Sequence, residues 1–167
     1  MQISKNFSLE EFERSDTAKR LGIDNHVPQF AVERLRILCE KVLQPVRDHF
    51  GVPVIITSGY RCPDLNDAVK GATSSQHMKG EAADFKIKVD NTKGVKLYDL
   101  YLWMVDNLSF DQLIWEVRPL RQAQGRPTNS KWIHVSYKNK KLFPRWLGSS
   151  RVFLWLFVPS IQLNCMD

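Results

Sequence analysis

From Glu81 to Val89 the chain alternates in character. Ala83, Phe85 and Ile87 fall on one side; Ala82, Asp84 and Lys86 fall on the other. Side chains of a strand point to opposite faces in turn, so this segment reads as a strand with one face in a core and an acid on the other. Such a strand needs partners. Val52 to Thr57 is short and β-branched, and Phe110 to Glu116 and Trp132 to Tyr137 also read as strands. The stretches between them are long and unequal, and the helical patterns come early. We therefore expect an α+β fold, with a small antiparallel sheet flanked by N-terminal helices.

The helices are marked by their ends. Ser8-Leu9-Glu10-Glu11 fits a capping box. Pro28 opens a long helix whose apolar residues, Val32, Leu35, Leu38, Cys39, Val42, Val46 and Phe50, recur at helical spacing. Pro45 should kink it, and Gly51 should end it. Asp64 to Val69 reads as a short helix. Asn91 or Thr92 is expected to cap another that runs to about Asn107. Gly71 to Gly80 is loop-like, and residues 117–131 form a polar, basic connection.

The 167 residues fit one domain, taken as residues 1–143, with an apolar and basic tail over 144–167. The formal net charge of +6 is unevenly placed: residues 1–117 sum to −2 and residues 118–167 to +8. A nucleic-acid-binding protein would be motivated by charge alone, since no zinc-finger, RNP-type or helix-turn-helix pattern accompanies it. The basic end is instead expected to make weak contact with anionic polymer or lipid. Cys39, Cys62 and Cys165 are too widely spaced for a metal clip or a disulfide framework. The N-terminal residues lack the apolar core of a secretory signal, so synthesis in the cytoplasm is expected. The apolar run Val152 to Val158 is far shorter than the roughly 20 residues of a membrane-spanning helix. It reads as a buried strand, with an interfacial anchor as the alternative.

Two segments carry chemistry. In Ser75-Gln76-His77-Met78-Lys79-Gly80-Glu81-Ala82-Ala83-Asp84, a histidine precedes a glycine turn and an aspartate follows on the strand. The turn can fold back so that both side chains meet. In Trp132-Ile133-His134-Val135-Ser136, alternation puts Trp132, His134 and Ser136 on one face. Two imidazoles and a carboxylate make a metal site of the kind catalytic zinc uses, with a position left open. On spacing alone, structural hydrogen bonding by these residues is the commoner outcome.

The segments SGYRCPDLNDAV, SSQHMKGEAADF, FDQLIWE and WIHVSY, in this order, resemble the zinc D-Ala-D-Ala carboxypeptidase family of peptidoglycan peptidases, above all its small phage and prophage members. The resemblance spans about residues 6–140 and implies a hedgehog/DD-peptidase-like fold and a Zn2+ cofactor. It implies His77, Asp84 and His134 as zinc ligands and Arg61 as the cation beside the scissile carbonyl, where it would stabilise an oxyanion. The alternative for Arg61 is a salt bridge to Asp64 or Asp67. Ser75 is expected to orient the ligand loop and Trp132 to wall the substrate cleft. Many relatives carry a glutamate three residues before the last zinc histidine, to serve as general base. That position is Lys131 here. Glu116 shares a strand face with Gln112 and Ile114 and is the substitute candidate, a solvent-exposed strand-end carboxylate being the equal alternative; Glu81, beside the ligand turn, is a weaker candidate.

The expected function is hydrolysis of a peptide bond in a peptidoglycan stem peptide, as a D,D-carboxypeptidase or an endolysin-like endopeptidase. The enzyme is expected to be a monomer that reaches the wall after release from the cell. The rival, favoured by Lys131, is a non-catalytic cell-wall-binding or virion module of the same fold. No specific nucleic-acid partner is expected.

Overall fold

The computed structural model describes residues 1–88, 91–119, 129–138 and 151–154. The chain opens with a small hairpin, β1 (Gln2–Ser4) and β2 (Phe7–Ser8), and two short helices, α1 (Leu9–Glu13) and α2 (Asp16–Leu21). The Ser8–Glu11 capping box is present at α1, with the Ser8 N–H donating to Glu11 Oε1 at 2.9 Å. The hairpin and α2 have no counterpart in the sequence reading, because each is too short to show a period.

The long helix expected from Pro28 is divided. Helix α3 (Gln29–Leu38) passes into a π-helical turn, Cys39–Leu43, and then into α4 (Gln44–Phe50). Pro45 explains the division. A proline lacks an N–H and its ring crowds the carbonyl four residues back, so a wider turn placed just before it relieves the clash. Gly51 ends α4 at a φ of +62°. Cys39 is fully buried in the stripe formed with Leu35, Leu38 and Val42.

Five strands form the main sheet: β3 (Val54–Ser58), β4 (Ala82–Ile87), β5 (Gln112–Pro119), β6 (Asn129–Ser136) and β7 (Arg151–Leu154), in the order β3-β4-β6-β5-β7. The first four pair antiparallel, and β7 joins β5 in parallel, which the expected antiparallel sheet did not include. Helix α5 (Pro63–Ala68) follows β3, a 3₁₀ turn (Gln76–Lys79) precedes β4, and α6 (Leu97–Asn107) precedes β5.

Alternation along β4 is as expected. Ala83, Phe85 and Ile87 enter the core with Leu113, Ile133 and Val135 of the neighbouring strands. The helices cover this face, with Leu35, Leu38, Leu100 and Met104 fully buried against it. Each such side chain contributes about 1.5–3 kcal/mol on burial. The opposite face is left for chemistry.

Two expectations are corrected. The connection 117–131 is strand at both ends, with Val117 opposite Lys131 and Pro119 opposite Asn129. Ladder bonds involve only backbone and extend through polar sequence. The helix expected from Asn91 or Thr92 begins at Leu97. Asn91 instead builds the turn before it: its Nδ2 donates to the carbonyls of Lys88 and Val95, and its Oδ1 accepts from the Val95 N–H. A side chain that satisfies local backbone groups competes with helix. The strand reading of the C-terminal apolar run holds for the backbone of 151–154, while the rest of the run, Cys165 and the boundary at residue 143 lie outside the described residues.

Candidate metal centre

The open face of the sheet is set by register. Asp84 on β4 lies opposite His134 on β6, which lies opposite Ile114 on β5. One row further along, Trp132 lies opposite Glu116. His77 reaches the same point from the 3₁₀ turn. Gly80 makes this possible: it caps the turn at a φ of +69°, and a Cβ there would lie 2.7 Å from the Ala31 carbonyl oxygen of α3. The chain thus reverses tightly against α3 and delivers Asp84 beneath His77.

His77, Asp84 and His134 offer ligand atoms that all lie within 4.8 Å of one another. His134 Nδ1 lies 2.7 Å and His77 Nε2 lies 3.4 Å from Asp84 Oδ1; the two ring nitrogens are 3.3 Å apart. His77 Nδ1 donates to the Gly59 carbonyl at 2.7 Å, which fixes the ring and turns Nε2 toward the cluster. Metal-ligating histidines are oriented in this way by a bond from the other ring nitrogen. His77 and Asp84 are buried. Burial alone would raise the Asp84 pKa, but the charge and hydrogen bonds of His77 and His134 outweigh it and hold the carboxyl well below the usual carboxylate range. Two nitrogens and a depressed carboxylate are a donor set that fits zinc.

Arg61 sits at the edge of this cluster. Its Nη2 donates to Asp84 Oδ2 at 3.0 Å, and its Nε and Nη2 donate to Ser58 Oγ at 3.0 and 2.9 Å. The salt bridge weighed for it with Asp64 or Asp67 is replaced by one to Asp84. Arg61, Ser75, His77, Asp84, Glu116, Trp132 and His134, all expected at the site from the sequence, line one cleft of about 590 Å³. Ser75 is half-buried at the start of the 3₁₀ turn, where its N–H donates to the Ala72 carbonyl. Lys131 is exposed and lies opposite Val117, so alternation puts it on the other face from His134, whereas Glu116 shares the His134 face. Glu81 is pinned elsewhere, at 3.1 Å from Arg34 of α3. Cys62 caps α5, where its Sγ accepts from the Leu65 N–H, and takes no part in the cluster.

Three residues of the site region escaped the sequence reading. Ser58 holds Arg61. Gly59 supplies the carbonyl for His77, and a Cβ on it would lie 2.5 Å from Phe12 Cα. Asn25 is buried and clamps the turn: its Nδ2 donates to the Glu13 and Tyr60 carbonyls, and its Oδ1 accepts from the Cys62 N–H. Only the Ser-Gly pair after a β-branched run left a trace in sequence, and that trace signals a turn rather than a site.

A mixed sheet whose open face carries a His-Asp-His cluster, with an arginine bonded to the acid, defines a candidate metal-site protein. The peptidase M15 family model matches residues 5–99, and the chain belongs to this family of zinc D-Ala-D-Ala carboxypeptidases. The match includes Arg61, His77 and Asp84 and ends before Glu116 and His134. No curated protein matches the sequence.

Proposed function

We propose that the chain is a zinc peptidase that hydrolyses a peptide bond of the peptidoglycan stem peptide, as a D,D-carboxypeptidase or endopeptidase of the endolysin type. The observation that carries this reading is the convergence of His77, Asp84 and His134 in a cleft that Arg61 also lines. Bound zinc would supply a Lewis acid and a water acidified toward a pKa of about 7. The chain's own residues do the rest. His77, Asp84 and His134 would hold the ion, with Gly59 bonded to His77 and Arg61 to Asp84. Arg61 Nη1 takes no part in the bonds to Ser58 and Asp84, which leaves it to receive the oxyanion that develops on the scissile carbonyl. Glu116 accepts the proton of the attacking water and returns it to the leaving amine. Trp132 walls the cleft beside it, and Ser75 borders the ligand turn.

Metal analysis and cell-wall digestion test this together. The expected outcome is one zinc per chain and release of new amino groups from purified peptidoglycan, both lost in His77→Ala. A protein that binds no zinc and leaves cell walls intact would refute it. Lys131, in place of the glutamate common in relatives, favours a second reading as a wall-binding module. Tight binding to peptidoglycan without turnover would select that reading.

A further inference from the structure

A second and larger cavity, of about 900 Å³, adjoins the metal cleft. It follows β3, the end strand of the sheet order, and α2 and α5 form its other walls. Arg61 and Val69 line both cavities, so the two adjoin at these residues. Arg14 and Arg20 also line the groove. Both are exposed, and neither makes an ion pair among the described residues. Asp16 is the one acid on the lining. Two guanidinium groups against one carboxylate on a concave wall leave an excess of positive potential there. An end strand, meanwhile, offers backbone groups to which an extended peptide can add.

We infer that this groove docks the acidic, N-terminal part of a peptide substrate whose scissile bond lies in the metal cleft. The inference rests on the peptidase reading and gives it a substrate preference. In a stem peptide the γ-linked glutamate leaves its α-carboxylate free, and a chain running from the cleft past Arg61 along β3 carries such a carboxylate toward Arg14 and Arg20. Guanidinium–carboxylate contacts are directional and charge-assisted, so amidation of that carboxylate should be felt.

The test is titration calorimetry of the zinc-loaded full chain with the tripeptide L-Ala-γ-D-Glu-L-Lys and with its amidated isoglutamine form. Neither contains the terminal bond to be cut. The wild type is expected to bind the acidic form on the order of tenfold more tightly, with the difference shrinking as salt is raised. Arg14→Ala/Arg20→Ala should bind both forms alike while keeping the wild-type circular dichroism. Arg14→Lys/Arg20→Lys should keep the preference. Equal binding of both forms by the wild type, or a preference that survives the alanine pair, would overturn the inference. So would displacement of the tripeptide by inorganic phosphate at equal concentration, which would mark a general anion patch. Cell-wall hydrolysis by the wild type is scored separately. Acidic preference without hydrolysis keeps the groove as a peptide site and removes the peptidase reading; hydrolysis without preference does the reverse.

Discussion

Asp84 bears more of the site than any other side chain. Its Oδ1 faces both imidazoles and its Oδ2 takes the Arg61 guanidinium. Its folded-state pKa lies below the unfolded value of 3.8. A depressed carboxyl adds stability that is fully present above the unfolded pKa and is lost as pH falls through the folded one. In the presence of chelator, denaturant unfolding should therefore show wild type more stable than Asp84→Asn near neutrality. The gap should narrow as pH drops below about 4. Glu116 and Lys131 make a second residue-scale contrast. Glu116→Gln should lower kcat by about 10²–10⁴-fold with zinc retained, as loss of a general base does. Lys131→Ala should leave kcat nearly unchanged, because Lys131 lies on the opposite face of β6. Steady-state kinetics with metal analysis of each variant decides both.

At the scale of elements, the site depends on two turns tied to each other. The Ser58–Arg61 turn and the His77 turn share two bonds: His77 Nδ1 donates to the Gly59 carbonyl, and the Arg61 N–H donates to the His77 carbonyl at 3.3 Å. The first turn is anchored on the N-terminal helices, where the Tyr60 N–H donates to the Phe12 carbonyl at 2.9 Å. The room for that approach exists because residue 59 has no Cβ. Gly59→Ala should therefore push β3 from α1 and cost about 1–3 kcal/mol, as overpacking does. It should also weaken zinc affinity, because the carbonyl that orients His77 moves with the turn. Thermal unfolding and a competitive zinc titration would show both effects together; a loss of stability with unchanged zinc affinity would uncouple the turns. The short hairpin, α2 and the π turn were hidden at this scale. None has a period long enough to read; Pro45 signalled a kink in the long helix, but not that a π turn would take it up.

Across the whole molecule, the three side chains of the candidate metal cluster come from a turn and two strands, so a bound metal would tie the sheet to that turn. A ligand that binds only the folded state stabilises it by mass action, about 4 kcal/mol at a thousandfold excess over Kd. Zinc should accordingly raise Tm of wild type in proportion to its logarithm, and His134→Ala should abolish the rise. Burial also sorts the thiols. Cys39 is fully enclosed, and burial pushes its pKa up, whereas Cys62 is partly exposed. Native alkylation followed by peptide mass spectrometry should mark Cys62 well before Cys39. Much of this architecture was legible in sequence. The alternation of residues 82–87 specified which face of the sheet is buried. The glycine after His77 marked a reversal, and the parity of Trp132, His134 and Ser136 put them on one face. These are local properties, written in the spacing of neighbouring side chains. The tertiary structure alone decided the rest. It set His134 opposite Asp84, paired Arg61 with that acid rather than with its sequence neighbours, and left a groove carrying Arg14 and Arg20 between β3, α2 and α5. Those contacts join residues tens of positions apart. They depend on strand register and helix packing, and no local pattern encodes them.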